Sequence, residues 1–224
     1  MKYSGQKQTK SMRIRLLSAL AILLLFSCAP REQEPWRGIL KQYAGHDEVR
    51  ELVLVACKPG SSEAEVRYFI RKGRVWDRDM EGPAFIGKNG LGKTAEGDAR
   101  TPEGDFGVLT AFGILPDPGT ALPWLQVSES TFACDEEGPW YNRIIDTVAT
   151  HHRCKGEDMF HTAPEYHYGL ALDFNPDCRY PDGSAIFFHC QGAKTYTGGC
   201  IAVQENFLRH ILTTAHPGLR VIIH

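Results

Sequence analysis

The apolar positions of this chain fall in short runs separated by glycine, proline and charge, a spacing that predicts strands far more than helices. Residues 51–56 are an unbroken run of Leu, Val and Ala after Glu51, with high strand propensity. Residues 65–70 alternate imperfectly and are followed, after a turn at Lys72 and Gly73, by 74–76, which predicts a hairpin. Residues 87–97 are too rich in glycine for a packed element, and 100–109 read as a Pro/Gly turn running into a strand. From about 115 to 164 the chain is rich in Trp, Pro, Cys and His and poor in periodicity. Long loops are expected there, with one short strand near 144–149. Residues 168–173 and 184–189 read as buried strands. Phe207, Leu208, Ile211 and Leu212 then recur at helical spacing, predicting an amphipathic helix over 204–215 that stops at Pro217 and Gly218. A last strand is expected at 219–223. The sum is a mainly β chain with long loops and one C-terminal helix.

The N-terminal end changes this picture only by adding an address. Lys2, Lys7, Lys10, Arg13 and Arg15 precede an apolar stretch over 16–26, with no acidic residue before Glu32. That is the layout of an export signal over 1–27, and it is too short to span a bilayer comfortably. Its end, Leu25-Phe26-Ser27-Cys28, resembles the bacterial lipoprotein box, although Phe26 is a less usual residue at its place there. The resemblance implies a lipid on Cys28 and an exported, membrane-anchored protein of the cell envelope. Residues 28–48, with Pro30, Pro35 and many charges, read as a tether, leaving 49–224 as one domain with its own core.

Charge excludes one class of partner. The chain has 25 basic and 27 acidic residues, but residues 1–27 hold five of the former and none of the latter. The remainder, at 20 basic and 27 acidic, is net negative, which argues against nucleic acid. Seven cysteines stand at 28, 57, 134, 154, 178, 190 and 200. An oxidising compartment allows some to pair. Loop placement suggests Cys134 with Cys154 and Cys178 with Cys190, although spacing alone leaves connectivity open.

The most informative stretch is 186–203. An apolar run ends on His189, a polar loop follows, and Gly198 and Gly199 deliver Cys200 to a second apolar run. This layout can bring a thiol and an imidazole onto neighbouring backbone segments, as a Cys/His nucleophile pair requires. The two glycines let the backbone turn sharply and expose N–H groups, those of Gly199 and Cys200, to a tetrahedral oxyanion. Taken alone, the pair reads more readily as a small buried cysteine near a strand-end histidine. In the loop-rich middle, Tyr141, Arg143 and His167 are candidates for a lid or substrate wall, with Arg143 able to grip a carboxylate.

His189 followed by Thr197-Gly198-Gly199-Cys200 resembles the signature of the L,D-transpeptidase (YkuD-type) catalytic domain: a histidine, a spacer, then Ser/Thr-His-Gly-Cys. Gly90-Leu91-Gly92 and the segment from Thr101 and Pro102 to Phe106 also resemble that family's approach to its core, so the likeness covers about 50–224. It implies a β-sandwich or barrel in which Cys200 attacks a peptidoglycan stem peptide, His189 serves as base and then acid, and Thr197 and Gly198 border the substrate. A thioester is resolved by an amine (transpeptidase) or by water (carboxypeptidase), with no metal or organic cofactor. Three departures imply a divergent subfamily. Gly198 stands where the family places a second histidine, Ala202 stands near the usual arginine, and the spacer is short.

Two rivals remain at this level. A zinc peptidase is suggested by Cys134, His151, His152 and Cys154, and by His167 with Asp173. The first set matches no familiar closed zinc spacing, and the second is one residue out of phase for a His–Asp zinc motif. A non-catalytic peptidoglycan-binding lipoprotein is suggested by Gly198.

Overall fold

A computed structural model describes residues 36–224; the expected leader, Cys28 and the first part of the tether lie outside the described residues. The chain divides into a unit ending at Gln42 and a compact unit over Tyr43–His224. The described part of the first unit is a short helix, α1 (Trp36–Gln42), within the stretch expected to be tether. The second unit begins six residues before the expected boundary. Its 3-10 turn, Tyr43–Gly45, is tied down by side chains far along the chain. Tyr43 donates its hydroxyl to Asp105, and the Arg71 guanidinium donates to the carbonyls of Ala44 and His46 at 2.9 and 2.6 Å.

Most of the strands belong to one sheet: β1 (Glu51–Cys57), β2 (Glu63–Lys72), β3 (Val75–Phe85), β4 (Gly104–Gly113), β5 (Trp124–Gln126), β9 (Gly169–Leu172), β10 (Phe187–Cys190), β11 (Ile201–Val203) and β12 (Arg220–Ile223). Their order is β12-β1-β2-β3-β11-β10-β9-β4-β5, and β4 also pairs with β12. The first half of β4 pairs with β12 and the second half with β9, so the sheet closes on itself as a barrel. The expected hairpin is longer than its pattern suggests, with Gly73 at φ +64° in the turn, where a side chain would strain the backbone. The helix forms as α2 (Glu205–Thr214), packs on β10 and β3, and buries Phe207, Leu208, Ile211 and Leu212. Burial of each such side chain contributes about 1.5–3 kcal/mol. Those four join Val53, Val66, Phe188, Ile201 and Val221 in the main core.

β10 and β11 run parallel, with Phe188 opposite Ile201 and His189 opposite Ala202. Side chains alternate along a strand, so these two strands divide their residues between two layers. Phe188, Cys190, Ile201 and Val203 enter the main core, whereas Phe187 and Cys200 join a second cluster with Phe112, Met159 and Tyr166.

The middle of the chain differs from expectation. It contains a small sheet of β6 (Thr131–Cys134), β7 (Ile144–Asp146) and β8 (Gly156–Asp158), in the order β7-β6-β8, besides β5. Only the strand near Ile144 was foreseen, because segments of three or four residues carry no readable period. Cys134 and Cys154 form a disulfide across this small sheet, as loop placement suggested. Cys178 and Cys190 do not pair: both are free, Cys190 being a core residue of β10 and Cys178 lying in a turn after β9. No helix among the described residues is long and apolar enough to cross a membrane.

Candidate active site

The sequence from Thr197 to Cys200 folds as a tight turn for identifiable reasons. The Thr197 hydroxyl donates to the Cys200 carbonyl at 2.6 Å and accepts the Gly199 N–H at 3.1 Å. Gly199 has φ +152°, and a Cβ there would lie 2.9 Å from the Arg100 carbonyl oxygen. Only glycine fits. Its carbonyl accepts a hydrogen bond from Thr101, a fully buried residue of the Thr-Pro segment. Gly198 is different: a Cβ there meets nothing within 4 Å.

Cys200 and His189 share one face of the β10–β11 pair, offset diagonally by two residues, a relation that places their Cα atoms roughly 8 Å apart. Both are buried, at 8% and 6% exposure, and both line a cavity of about 540 Å³. They are not hydrogen-bonded to each other. The Cys200 thiol donates to the Ala185 carbonyl at 3.2 Å, and its sulfur accepts the Phe187 N–H at 3.3 Å. Burial, reinforced by the Glu157 charge, pushes the thiol up to about 12, against the smaller opposing pulls of the Phe187 N–H and Lys93. The resting sulfur is a neutral thiol.

His189 Nδ1 lies 2.8 Å from the Cys190 carbonyl, which can only accept, so the proton is on Nδ1 and the lone pair on Nε2. Burial lowers the imidazole's pKa, partly offset by that carbonyl and by Glu165. The ring packs edge-on to Tyr166 at 5.5 Å between centroids. Tyr166 in turn donates its hydroxyl to Glu157.

The cavity is strongly polar. Glu96, Asp135, Glu157 and Glu165 line it, with Lys93 and Lys194 also in the wall. Burial raises the pKa of Glu157 and of Asp135, and repulsion among Glu96, Asp135 and Glu157 adds to it. Lys93 is almost wholly enclosed and pairs with Asp98 at 3.1 Å. The small disulfide-linked sheet brings Ala133, Asp135 and Glu157 to this wall.

Of the residues expected at the site, Cys200, His189, Gly199, Gly198 and Thr197 line the cavity together. The Gly199 N–H, expected to face an oxyanion, is already donated to Thr197, whereas the N–H groups of Gly198 and Cys200 have no acceptor among the described residues. Tyr141, Arg143 and His167 are not part of this wall. Tyr141 is turned inward, its hydroxyl donating to Glu96 at 2.7 Å and accepting the Gly183 N–H at 2.8 Å. Arg143 borders a separate cavity of about 390 Å³, and His167 pairs with Glu205 at 2.8 Å. Lys93, Glu157 and Tyr166 also line the cavity, although nothing in their local sequence pattern marks a cavity wall.

The zinc candidates do not converge. Cys134 and Cys154 are joined as a disulfide and have no thiolates to offer, while Asp173 accepts the Gly107 N–H at 2.7 Å, away from His167. Among the described residues no three His, Cys, Asp or Glu side chains gather as a metal site.

Residues 61–223 match the YkuD family, the L,D-transpeptidase catalytic domain. No curated protein matches the chain. Among solved structures it is similar to Bd1075 of Bdellovibrio bacteriovorus, at 15% identity and a TM-score of 0.42, over 79% of this chain and 48% of that one. It is also similar to the helical cell shape determining protein Pgp2 from Campylobacter jejuni, at 15% identity and a TM-score of 0.43, over 84% of this chain and 54% of that one. The chain spans about half the length of these structures.

Proposed function

From the premise that this chain belongs to the YkuD family of L,D-transpeptidase catalytic domains, we propose that it cuts and rejoins peptidoglycan stem peptides through a thioester on Cys200. The observation that carries this reading is the shared cavity: a thiol, a neutral imidazole with a free Nε2 lone pair, and two unengaged N–H groups line one space.

The thiol turns about its Cα–Cβ bond from the Ala185 carbonyl toward His189, which takes its proton as the sulfur attacks the carbonyl of the stem's third residue, a diamino acid. Because the resting thiol is neutral, proton transfer accompanies attack and no standing thiolate precedes it. The N–H groups of Gly198 and Cys200 receive the oxyanion. Collapse breaks the bond to the terminal D-alanine, whose nitrogen takes the proton held by His189. An amine from a second stem then attacks the thioester, giving a cross-link and restoring the thiol; water at that step gives a carboxypeptidase. The acidic wall favours approach of a stem bearing a free ammonium group.

The same reading puts the enzyme at the cell envelope, held by a lipid on Cys28. The basic run, apolar stretch and lipobox-like end support this. Detergent-phase partition of the expressed full chain, lost in Cys28→Ala, is the expected result; equal partition of the two would remove the anchor.

Intact-mass analysis after incubation with purified tetrapeptide muropeptides tests the chemistry. A stem adduct on Cys200 and release of D-alanine are expected, with both lost in Cys200→Ala. Undiminished release by that variant would rule the reading out. The ratio of cross-linked dimer to free tripeptide reports whether amine or water resolves the thioester.

A further inference from the structure

Residues 185–187 hold the sulfur from both sides, because the Ala185 carbonyl and the Phe187 N–H both meet Cys200 Sγ. This segment is also a thin wall. Ala185 and Ile186 border the cavity that contains Cys200, and the same residues with Phe187 border the second cavity of about 390 Å³. Ile186 and Phe187 are buried and held by packing and by the β9 ladder, whereas Ala185, at the head of the wall, is only half-buried and depends more on hydrogen bonds for its place.

Ala185 is held by the side chain of Asn142. Its Oδ1 accepts the Ala185 N–H at 2.9 Å, and its Nδ2 donates to the carbonyls of Phe174 and Asn175, each at 2.9 Å. Both linked residues stand in the left-handed region, Asn142 at φ +58° and Ala185 at φ +51°. Asn tolerates that region, but for Ala it is a strained conformation that persists only when neighbours impose it. Asn142 is itself fixed from behind. It donates its N–H to the Cys134 carbonyl at 3.0 Å, and Cys134 donates its N–H to Arg143 at 3.0 Å. Cys134 is anchored by the disulfide. A continuous path thus runs from the disulfide through Asn142 and Ala185 to the sulfur.

We propose that Asn142 is a positioning residue for Cys200: its side chain locks the 185–187 wall in the conformation that seats and aligns the thiol. The proposal rests on Cys200 being the nucleophile. It assigns Asn142 no contact with substrate.

The test is Asn142→Gly, which keeps access to the left-handed backbone and removes only the side-chain clamp. Site-resolved alkylation of Cys200 by iodoacetamide is followed against pH, with Cys57, Cys178 and Cys190 as internal comparators. With the wall released, water reaches the sulfur and the Cys200 midpoint is expected to move down toward the open-thiol range near about 8.5. Turnover of tetrapeptide muropeptides is expected to lose on the order of 10²-fold in kcat, with KM little changed, because a misplaced reacting atom costs rate more than binding. Should Asn142→Gly fail to fold, Asn142→Asp keeps the acceptor for Ala185 and loses the two anchoring donors, and the same shift is expected of it. An unmoved Cys200 midpoint with unchanged kcat in a folded variant overturns the proposal. The alkylation readout needs no peptidoglycan. It therefore stands apart from the failure of the nucleophile assignment itself, which would show as full turnover by Cys200→Ala.

Discussion

The hydroxyl of Thr101 donates to the carbonyl of Gly199 at 2.8 Å, joining residues 98 positions apart across the turn that precedes Cys200. The same oxygen accepts the Gly87 N–H at 2.8 Å, so one buried hydroxyl satisfies two backbone groups. Thr101→Val keeps the shape and leaves both unpaired, at a cost of roughly 2–6 kcal/mol. Urea unfolding of the two proteins measures this, and Thr101→Ser is expected to restore most of the loss. A valine variant as stable as the parent would mean that the turn is held by other contacts.

Gly198 and Gly199 are expected to respond in opposite ways. Gly198→His places the family's usual residue where a Cβ meets nothing, and it should fold with equal stability or a gain of about 0.4–1 kcal/mol from the stiffer unfolded chain. Gly199→Ala must push into the Arg100 carbonyl from a φ of +152°, and it should lose thioester formation altogether. Thermal melts and intact-mass assays separate the two, and equal behaviour would show the turn to be plastic.

The pH profile follows from burial. Burial disfavours the imidazolium, so the His189 pKa is lowered and the base remains neutral to more acidic pH than an exposed histidine would. The acid limb of kcat/KM, if set by His189, should therefore lie below about pH 6.5. The thiol, pushed up to about 12, should give no alkaline rise near the ordinary cysteine range. An activity that climbs through pH 8–9 in step with thiolate formation would contradict the neutral resting pair.

Removing the disulfide should act on the site as well as on stability. Cys134 and Cys154 close a loop of 20 positions, and opening such a loop costs about 3 kcal/mol. The double variant Cys134→Ser, Cys154→Ser should unfold at lower denaturant and should lose turnover even where it is still folded, since Asp135, which directly follows β6, and Glu157 of β8 reach the cavity wall. Full turnover in the folded variant would limit the disulfide to a stabilising role.

What could be read in advance follows element length and range of contact. β1, the β2–β3 hairpin, β9, α2 and β12 announce themselves because an apolar run or a full helical period lies within each. Of the four short strands in the middle, only β7 is legible, in the apolar pair Ile144 and Ile145; β5, β6 and β8 are too short to contain a period, and their partners come from the small sheet and the barrel edge. That His189 and Cys200 border one cavity was legible in a strand end, a polar loop and two glycines. The seating of the sulfur by Ala185 and Phe187 was not, since it depends on the parallel register that sets Phe188 opposite Ile201. Tyr141 misled for a physical reason: an aromatic in a loop suggests a substrate wall, but its hydroxyl finds Glu96 and Gly183 inside.

The alternation along β10 and β11 also governs how this protein can change over time. Phe188, Cys190, Ile201 and Val203 answer to the barrel core, whereas His189, Cys200 and Ala202 answer to the cavity and Phe187 to the second cluster beside it, and the two sets interleave one residue at a time. Aliphatic exchange in the first set can drift without touching the chemistry. A single insertion within Ile201–Val203 is another matter. It exchanges the two faces in one step, so this short strand is closed to single-residue changes of length.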